Sequence, residues 1–349
     1  MPNKKQSLYV FLVVAVAAVL LGSVIWLWTR PPKKSCHAPG SARLLKSSGI
    51  YQPDTGLSIA RPTLPELRTV TSQEMLGAIQ KQDRALFIRD NKCLDNKWAK
   101  ITMEQLSDFF VQNGIKQRLM ISPSGVVGWY DSTMIDVSVD SGTGQIWGRA
   151  KPTFVAQHRE CVPTPFPLPH VQYDDDPDNL NQYIRGDHDR NKTKFYIAPN
   201  ERYYLRTLHS PKFVEMFRDC IPDCYPLNPE MLEHVNFYVS GAGIVTNLHV
   251  DGKSGCIVQL KGRKRVYVFP PSDRQHMAFY PPTHPLMRRS TIDCKLSEAV
   301  LDQYPSLKNC QGWEYVLEPG SWLYIPAQWI HYVETLDPET YSLVVRFLA

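Results

Sequence analysis

The chain has 349 residues, of which 43% are hydrophobic, and its formal net charge is +5 at pH 7. This length and hydrophobic content favour one large domain with a real core and a small attachment. The charge is mild and its one dense basic patch is residues 261–265. That distribution argues against a dedicated nucleic-acid binder, in which Lys and Arg usually form stripes.

The N-terminal segment reads as a membrane anchor. Residues 8–28 contain no charged side chain, and a helix of that length matches a hydrocarbon core of about 30 Å. The apolar run continues past Gly22 and Ser23, whereas a cleaved signal peptide has a shorter apolar region that ends at a small-x-small site. We predict an uncleaved anchor over 1–30 and a linker rich in Pro, Ser and Lys over 31–60.

The flanking charges do not determine the orientation of this anchor, because they are balanced on its two sides. The chain contains 8 cysteines, several of them in proline-rich stretches suited to disulfides, and one glycosylation sequon at Asn191. We therefore predict a single-pass type II membrane protein of the endoplasmic reticulum or Golgi, with residues 61–349 in the lumen. A cytosolic-facing topology is the alternative.

Residues 61–349 have the pattern of one mainly β domain. An early helix is marked by Thr102 as its cap, Gln105 three residues on, and Gly114 as its stop. From Val235 onward, short strand-like runs alternate with turn signals, as in a jelly roll. We predict a double-stranded β-helix with helical decoration on its N-terminal side.

Three residues offer ligands for one metal ion. His249 and Asp251 are two apart in TNLHVD, so a strand would direct both side chains to one face. His331 follows in a second strand-like run. Two histidines and one carboxylate form the facial triad of iron(II) oxygenases, which leaves two positions for a chelating cosubstrate and one for O2. The alternative is two satisfied core histidines and a turn aspartate.

Two further residues suggest a cosubstrate with a distal carboxylate, which requires a fixed cation and a hydroxyl group. Thr246 precedes His249 by three residues, and Lys264 follows in QLKGRKRVYVFPP. Strand alternation puts Lys264 on the face opposite Arg263 and Arg265, which a solvated basic face would explain. This alternation favours Lys264 as the inward cation.

At these residues the chain resembles the JmjC-type, cupin-like 2-oxoglutarate oxygenases. It resembles in particular the small hydroxylase branch that contains the hypoxia-pathway asparaginyl hydroxylase and the tRNA wybutosine hydroxylase. The resemblance is strongest from Glu201 to the end and is carried by ERYYLRTL (201–208), VTNLHVD (245–251), QLKGRKRVYVFPP (259–271) and EPGSWLYIPAQWIHYVETL (318–336).

The resemblance implies a role for six residues. Iron(II) would be held by His249, Asp251 and His331. The C5 carboxylate of 2-oxoglutarate would be held by Lys264 and Thr246, with a phenolic hydrogen bond from Tyr204, for which plain packing is an equal alternative.

Two positions depart from this branch. Members commonly have Asn four residues after the metal aspartate, where this chain has Gly255. Near the last strand, Arg346 stands where some relatives have Asn. Neither departure touches the triad, but both alter the surroundings of the other cosubstrate carboxylate, where changes typically cost about 10- to 100-fold in affinity or activity.

Other metal-like patterns are weaker. His158 and Glu160 run into a proline-rich stretch that excludes an inner strand. The acidic segment 174–178 lacks the closing Glu of an EF-hand loop. Cys220 and Cys224 lack a second pair of ligands at zinc-site spacing.

The sequence thus favours an iron(II)- and 2-oxoglutarate-dependent dioxygenase that hydroxylates a side chain of a secretory-pathway or membrane protein. Succinate and CO2 would be its coproducts, and no nucleic-acid partner is expected. The alternatives are an N-methyl lysine demethylase, an RNA-base hydroxylase, or a jelly-roll binding module that has lost turnover.

Overall fold

The structure, a computed structural model, describes residues 232–347 apart from residue 293 and, with gaps, residues 60–198. The predicted anchor, the predicted linker up to residue 59, Tyr204 and the Asn191 sequon lie outside the described residues. No helix within the described part is both long and apolar enough to cross a membrane.

The described elements before residue 200 are short. They are β1 (Ala60–Arg61), β2 (Leu86–Arg89), α1 (Met103–Gln112), β3 (Arg118–Ser122), β4 (Val126–Val127), β5 (Ile135–Val139), β6 (Ile146–Ala150), α2 (Pro152–Gln157), β7 (Phe166–Pro167), β8 (Gln172–Asp174) and β9 (Lys194–Ala198).

The helix α1 begins with the predicted capping box. The Thr102 N–H donates to Gln105 Oε1 at 3.0 Å, and the Gln105 N–H donates to Thr102 Oγ1 at 3.2 Å. Each side chain therefore satisfies a backbone donor that the first helical turn would leave without a partner.

The second part of the chain consists mainly of eight longer strands. They are β10 (Leu232–Ser240), β11 (Val245–Val250), β12 (Gly255–Lys261), β13 (Lys264–Phe269), β14 (Gly312–Leu317), β15 (Ser321–Ile325), β16 (Ile330–Thr335) and β17 (Thr340–Phe347). Two 3-10 turns (Pro271–His276 and Pro305–Asn309) and the helix α3 (Glu298–Gln303) lie between β13 and β14.

These strands divide between two sheets, as a jelly roll requires. The first has the order β1-β14-β13-β16-β11-β4, and the second has the order β2-β15-β12-β17-β10-β9-β3-β8. A small third sheet has the order β5-β6-β7. The predicted mainly β architecture is therefore present, with α1 and α2 on its N-terminal side.

The two large sheets share one apolar core. Val266, Val268 and Tyr315 from the first sheet pack with Ile257 and Leu323 from the second. Residues directly opposite each other in antiparallel strands lie on the same face of a sheet. This core therefore identifies the face of each strand that points between the sheets, called the inward face below.

The four described cysteines do not form the disulfides that the cysteine count suggested. All four are buried, and no disulfide joins any two of them: Cys161, Cys256, Cys294 and Cys310. The other four cysteines lie outside the described residues.

Candidate metal and cosubstrate site

A β-bulge in β11 sets the geometry of the site. Thr246 is opposite Val333 and His249 is opposite His331, so β11 has one extra residue between these two pairs. Strict alternation would put Thr246 and His249 on opposite faces because they are three residues apart. The bulge brings both to the inward face, together with His331.

The two histidines are oriented by backbone carbonyl groups. His249 Nδ1 lies 2.7 Å from the Asn247 carbonyl oxygen, and His331 Nδ1 lies 3.1 Å from that of Trp329. A carbonyl oxygen only accepts a hydrogen bond, so in both rings Nδ1 carries a proton and Nε2 is the nitrogen that remains to bind a metal ion. Burial, followed by the proximity of His331, lowers the pKa of His249 to about 3, which keeps it neutral. His249 is thus in the form that binds a metal ion.

Asp251 completes the cluster. Its backbone oxygen accepts a hydrogen bond from the Gln328 N–H at 3.0 Å, which ties the end of β11 to the turn before β16. Burial alone would raise the pKa of Asp251, but the Arg346 guanidinium and the two imidazoles outweigh it and hold this pKa well below its usual range. Asp251 is therefore a carboxylate.

The contacts within the cluster are those that a bound cation would satisfy. Asp251 Oδ2 and His331 Nε2 are 3.2 Å apart, and the side-chain ligand atoms of His249, Asp251 and His331 all lie within 4.8 Å of one another. Asp251 Oδ2 accepts no hydrogen bond of ordinary geometry, and the Arg346 guanidinium lies against it. Adjacent ligands of an octahedral metal are about 3 Å apart, which is close to the separation of Asp251 Oδ2 and His331 Nε2. The residues present therefore fit a divalent metal ion.

The inward face of the first sheet continues from this cluster in three rows. Across β13, β16 and β11, Val268, His331 and His249 form the first row, and Val266, Val333 and Thr246 form the second. Lys264 and Thr335 form the third row, four residues or about 13 Å along the sheet from the first. The three predicted contacts thus line one face in order: metal ligands, Thr246, Lys264.

Lys264 differs from its basic neighbours. Each neighbour pairs with a carboxylate: Lys261 with Glu339 at 2.7 Å, Arg263 with Asp337 at 2.9 Å, and Arg265 with Glu314 at 2.8 Å and Glu334 at 3.3 Å.

Lys264, in contrast, is only 5% exposed, and its Nζ donates to Ser342 Oγ at 2.6 Å. Burial lowers its pKa to about 7, and no carboxylate among the described residues offsets that effect. A buried ammonium group without a counter-ion is suited to binding an anion.

Two residues near Lys264 were not identified as site residues from the sequence. Ser342 lies on β17, and Tyr238 lies on β10, with its ring centroid 5.9 Å from Lys264 Nζ. Burial raises the pKa of Tyr238 to about 12, so it remains a neutral phenol. Tyr238 and Ser342 are opposite each other in register, and alternation along TYSLVVRF puts Ser342 and Arg346 on one face. That alternation is the signal that could have identified Ser342.

The other sequence candidates do not join this site. His158 stacks against Phe154 at 4.3 Å between ring centroids, and Glu160 is exposed. Most of the acidic segment 174–178, together with Cys220 and Cys224, lies outside the described residues. Within the described part of the chain, His249, Asp251 and His331 are the one group of three or more potential metal ligands.

Comparison with known proteins gives a family and several distant relatives. A family model described as a cupin-like domain matches residues 155–347, more than half of the chain. HSPB1-associated protein 1 of Homo sapiens is 28% identical over 159 residues, which are 44% of this chain and 31% of that protein. The tRNA wybutosine-synthesizing protein 5 of Danio rerio is 26% identical over 163 residues, 44% of this chain and 47% of that protein.

Lysine-specific demethylase JMJ30 of Arabidopsis thaliana is 31% identical over 159 residues, 43% of this chain and 34% of that protein. The matched segment thus spans about a third to about half of the length of these curated relatives.

Proposed function

This chain belongs to the cupin-like domain family, and from that premise we propose that it is an iron(II)- and 2-oxoglutarate-dependent dioxygenase. The observation that carries the proposal is the inward face of the first sheet. It has a metal-ligand cluster at one end and, at the other, the buried amine of Lys264, which no carboxylate among the described residues pairs with. Iron(II) and 2-oxoglutarate would supply the oxidation of a C–H bond by O2, with succinate and CO2 as coproducts.

The side chains have distinct tasks in this reaction. His249, Asp251 and His331 hold the metal, and the carbonyl groups that fix both Nδ1 atoms keep the rings aimed at it. Lys264 binds the distal carboxylate of the cosubstrate, assisted by Thr246. The apolar side chains of Val266 and Val268 exclude water between the two ends, which strengthens the charge pairing there.

The primary substrate is proposed to be a protein side chain. The relatives carry names that refer to association with HSPB1, to tRNA wybutosine synthesis and to lysine-specific demethylation. A protein substrate agrees with the name of the demethylase, and association with a protein agrees with that of the HSPB1-associated relative. The mild net charge of +5, with Lys261, Arg263 and Arg265 neutralised by carboxylates, does not favour an RNA partner.

We also propose the membrane arrangement that the sequence predicts, with an anchor over 8–28 and the catalytic domain in the lumen of the endoplasmic reticulum or Golgi. Expression of the tagged chain and of an Asn191→Gln variant tests this. A mobility shift that endoglycosidase removes and the variant lacks, together with protease protection of sealed microsomes, supports the lumenal arrangement. A protease-sensitive domain without the shift would contradict it.

Succinate formation tests the enzymatic proposal. The full chain in mild detergent is incubated with iron(II), 2-oxoglutarate, ascorbate and O2, beside an Asp251→Ala variant. We expect slow succinate release that the variant lacks, because such oxygenases often turn over without their primary substrate. Binding of neither iron(II) nor 2-oxoglutarate by the unmutated chain would refute the proposal.

Product analysis then separates the finer possibilities. Lumenal proteins incubated with the active enzyme should gain the mass of one oxygen atom at a side chain, as detected by peptide mass spectrometry. Release of formaldehyde instead would indicate removal of a methyl group from nitrogen.

A second candidate, a binding module without turnover, is favoured by one contact. The Arg346 guanidinium lies against Asp251 Oδ2, the atom that a metal would need. Binding of 2-oxoglutarate without succinate release under any condition would identify this alternative.

A further inference from the structure

Gly255 and Arg346, the two departures from related sequences, are in direct contact. They are opposite each other in register on β12 and β17, on the inward face. A Cβ atom built on Gly255 would lie 2.8 Å from Arg346 Nη1 and 3.0 Å from Arg346 Cδ. Any side chain at position 255 would therefore occupy the space that Arg346 now fills.

Arg346 uses this space to reach the metal cluster. Its Nη2 contacts Asp251 Oδ2, and Asp251 is the one carboxylate within ion-pair distance of it among the described residues. The Arg346 side chain is 17% exposed and that of Asp251 is 24% exposed, so both border the open side of the cluster. A guanidinium group has five N–H donors in a planar fork. One contact with Asp251 leaves most of them available.

The charge balance of this end of the site favours an anion. The two imidazoles are neutral ligands, so a divalent metal held with Asp251 would leave one net positive charge. Arg346 adds a second, and in a partly buried site such charges are poorly screened. An asparagine in its place would offer hydrogen bonds without charge.

We propose that Gly255 and Arg346 form a carboxylate-binding pair, in which Gly255 provides the space and Arg346 binds the carboxylate by which a 2-oxo acid chelates the metal. This inference rests on the proposed function and deepens it. The strand β17 then serves both ends of the cosubstrate, because Ser342 contacts Lys264 and Arg346 lies four residues further, beside the metal. Arginine suits this role because its fork matches a carboxylate with two parallel hydrogen bonds.

Binding of two 2-oxo acids to the manganese(II)-loaded full chain tests the pair, since manganese(II) permits binding without turnover. The probes are 2-oxoglutarate and 2-oxobutyrate, which lacks the distal carboxylate. Calorimetry gives the affinity for each probe, and the electron paramagnetic resonance signal of free manganese(II) gives the metal affinity separately. The variants are Arg346→Ala, Arg346→Lys and Lys264→Ala, with Arg263→Ala as the matched surface control.

Arg346→Ala should weaken both probes by the same factor, about 10- to 100-fold, because both carry the chelating carboxylate. Lys264→Ala should weaken the binding of 2-oxoglutarate and leave that of 2-oxobutyrate unchanged. Arg346→Lys should recover part of the affinity because it retains the charge but not the fork. The control Arg263→Ala should bind both probes as the unmutated chain does.

Three results would overturn the inference or its premise. Unchanged affinity for both probes in Arg346→Ala would overturn the inference and leave the proposed function intact. A change in manganese(II) affinity alone would also overturn it, because Arg346 would then serve only to hold Asp251. Failure of the unmutated, metal-loaded chain to bind 2-oxoglutarate would remove the proposed function itself.

Coupling between the two positions gives an independent readout. Gly255→Ala should lower the affinity for 2-oxobutyrate several-fold when Arg346 is present and hardly at all in an Arg346→Ala background. The added Cβ also lies 2.7 Å from the Val345 carbonyl oxygen, so thermal stability should fall in both backgrounds. Equal affinity losses in the two backgrounds would show that the residues act separately and overturn the pair.

Discussion

Replacing Lys264 by methionine should stabilise the fold and weaken cosubstrate binding at the same time. Lys264 is nine-tenths or more buried, and its charge is met by Ser342 Oγ rather than by a carboxylate of the described residues. A buried ammonium group without a counter-ion opposes folding. Methionine is unbranched and of similar length, so it can fill the same space.

The size of the stabilisation follows from the pKa of Lys264. Burial lowers this pKa from 10.5 to about 7, and each unit corresponds to about 1.4 kcal/mol. The charged form therefore costs the fold about 5 kcal/mol. The methionine variant also loses the hydrogen bond to Ser342, which lowers its free energy of unfolding by about 1–3 kcal/mol. The free energy of unfolding should rise by roughly 2–4 kcal/mol.

The pH dependence has a definite sign. Below pH 7 the lysine is charged in both the folded and the unfolded chain, so its cost to the fold is complete. Between pH 7 and about 10.5 the folded chain has released the proton that the unfolded chain retains, so stability rises with pH. The advantage of the methionine variant should thus be largest below pH 7 and shrink above it.

Denaturant unfolding at several pH values and calorimetric titration with 2-oxoglutarate measure the two effects. The affinity of Lys264→Met for 2-oxoglutarate should fall by about 10- to 100-fold. Arg263→Met, which removes an exposed cation paired with Asp337, should change neither quantity appreciably. A variant that is less stable at pH 6, or equally able to bind 2-oxoglutarate, would show that Lys264 is a structural residue.

Other predictions address the remaining parts of the molecule. His331→Ala should weaken manganese(II) binding by more than about 100-fold, because a direct ligand contributes more to metal affinity than the residues around it. Electron paramagnetic resonance measures this affinity, and retained binding would contradict the assigned ligand set. Thr246→Val should weaken the binding of 2-oxoglutarate about 10-fold and leave the metal affinity unchanged. An unchanged affinity for 2-oxoglutarate would show that Thr246 does not contact the cosubstrate. In the unmutated chain, the affinity for 2-oxoglutarate should fall about 50-fold from pH 7 to pH 9 as Lys264 loses its proton. An affinity that does not change with pH would argue against a role of Lys264 in binding 2-oxoglutarate. Thr102→Ala should lower the free energy of unfolding by about 1 kcal/mol through loss of the α1 cap, with exposed Thr291→Ala for comparison.

Local chemistry made several features predictable from the sequence. The capping box of α1 depends on two residues three apart, and the hydrogen bonds of Thr102 and Gln105 are those predicted. The short strands after Val235 indicated a jelly roll, and the resemblance to JmjC-type oxygenases is confirmed at the level of the cupin-like domain family. Alternation favoured Lys264 over Arg263 and Arg265 as the inward cation, and the structure places Lys264 at the start of β13 on the inward face.

Other features depend on contacts between distant segments. Thr246 shares a face with His249 only because pairing with β16 produces a bulge in β11, and a bulge is a property of the strand pair. In the same way, the sequence showed Gly255 and Arg346 as two unrelated departures.

The sequence by itself therefore indicated the candidate ligand types and the strand pattern and favoured the inward lysine, since each depends on spacing within short segments. Only the tertiary structure decided which residues meet. The pairing of β12 with β17, two strands far apart in the sequence, places Arg346 beside Gly255 and Asp251. Packing of the sheets buries Lys264, and no carboxylate among the described residues pairs with it. Pairing register and burial are set by the packing of the whole sheet, and no local pattern encodes them.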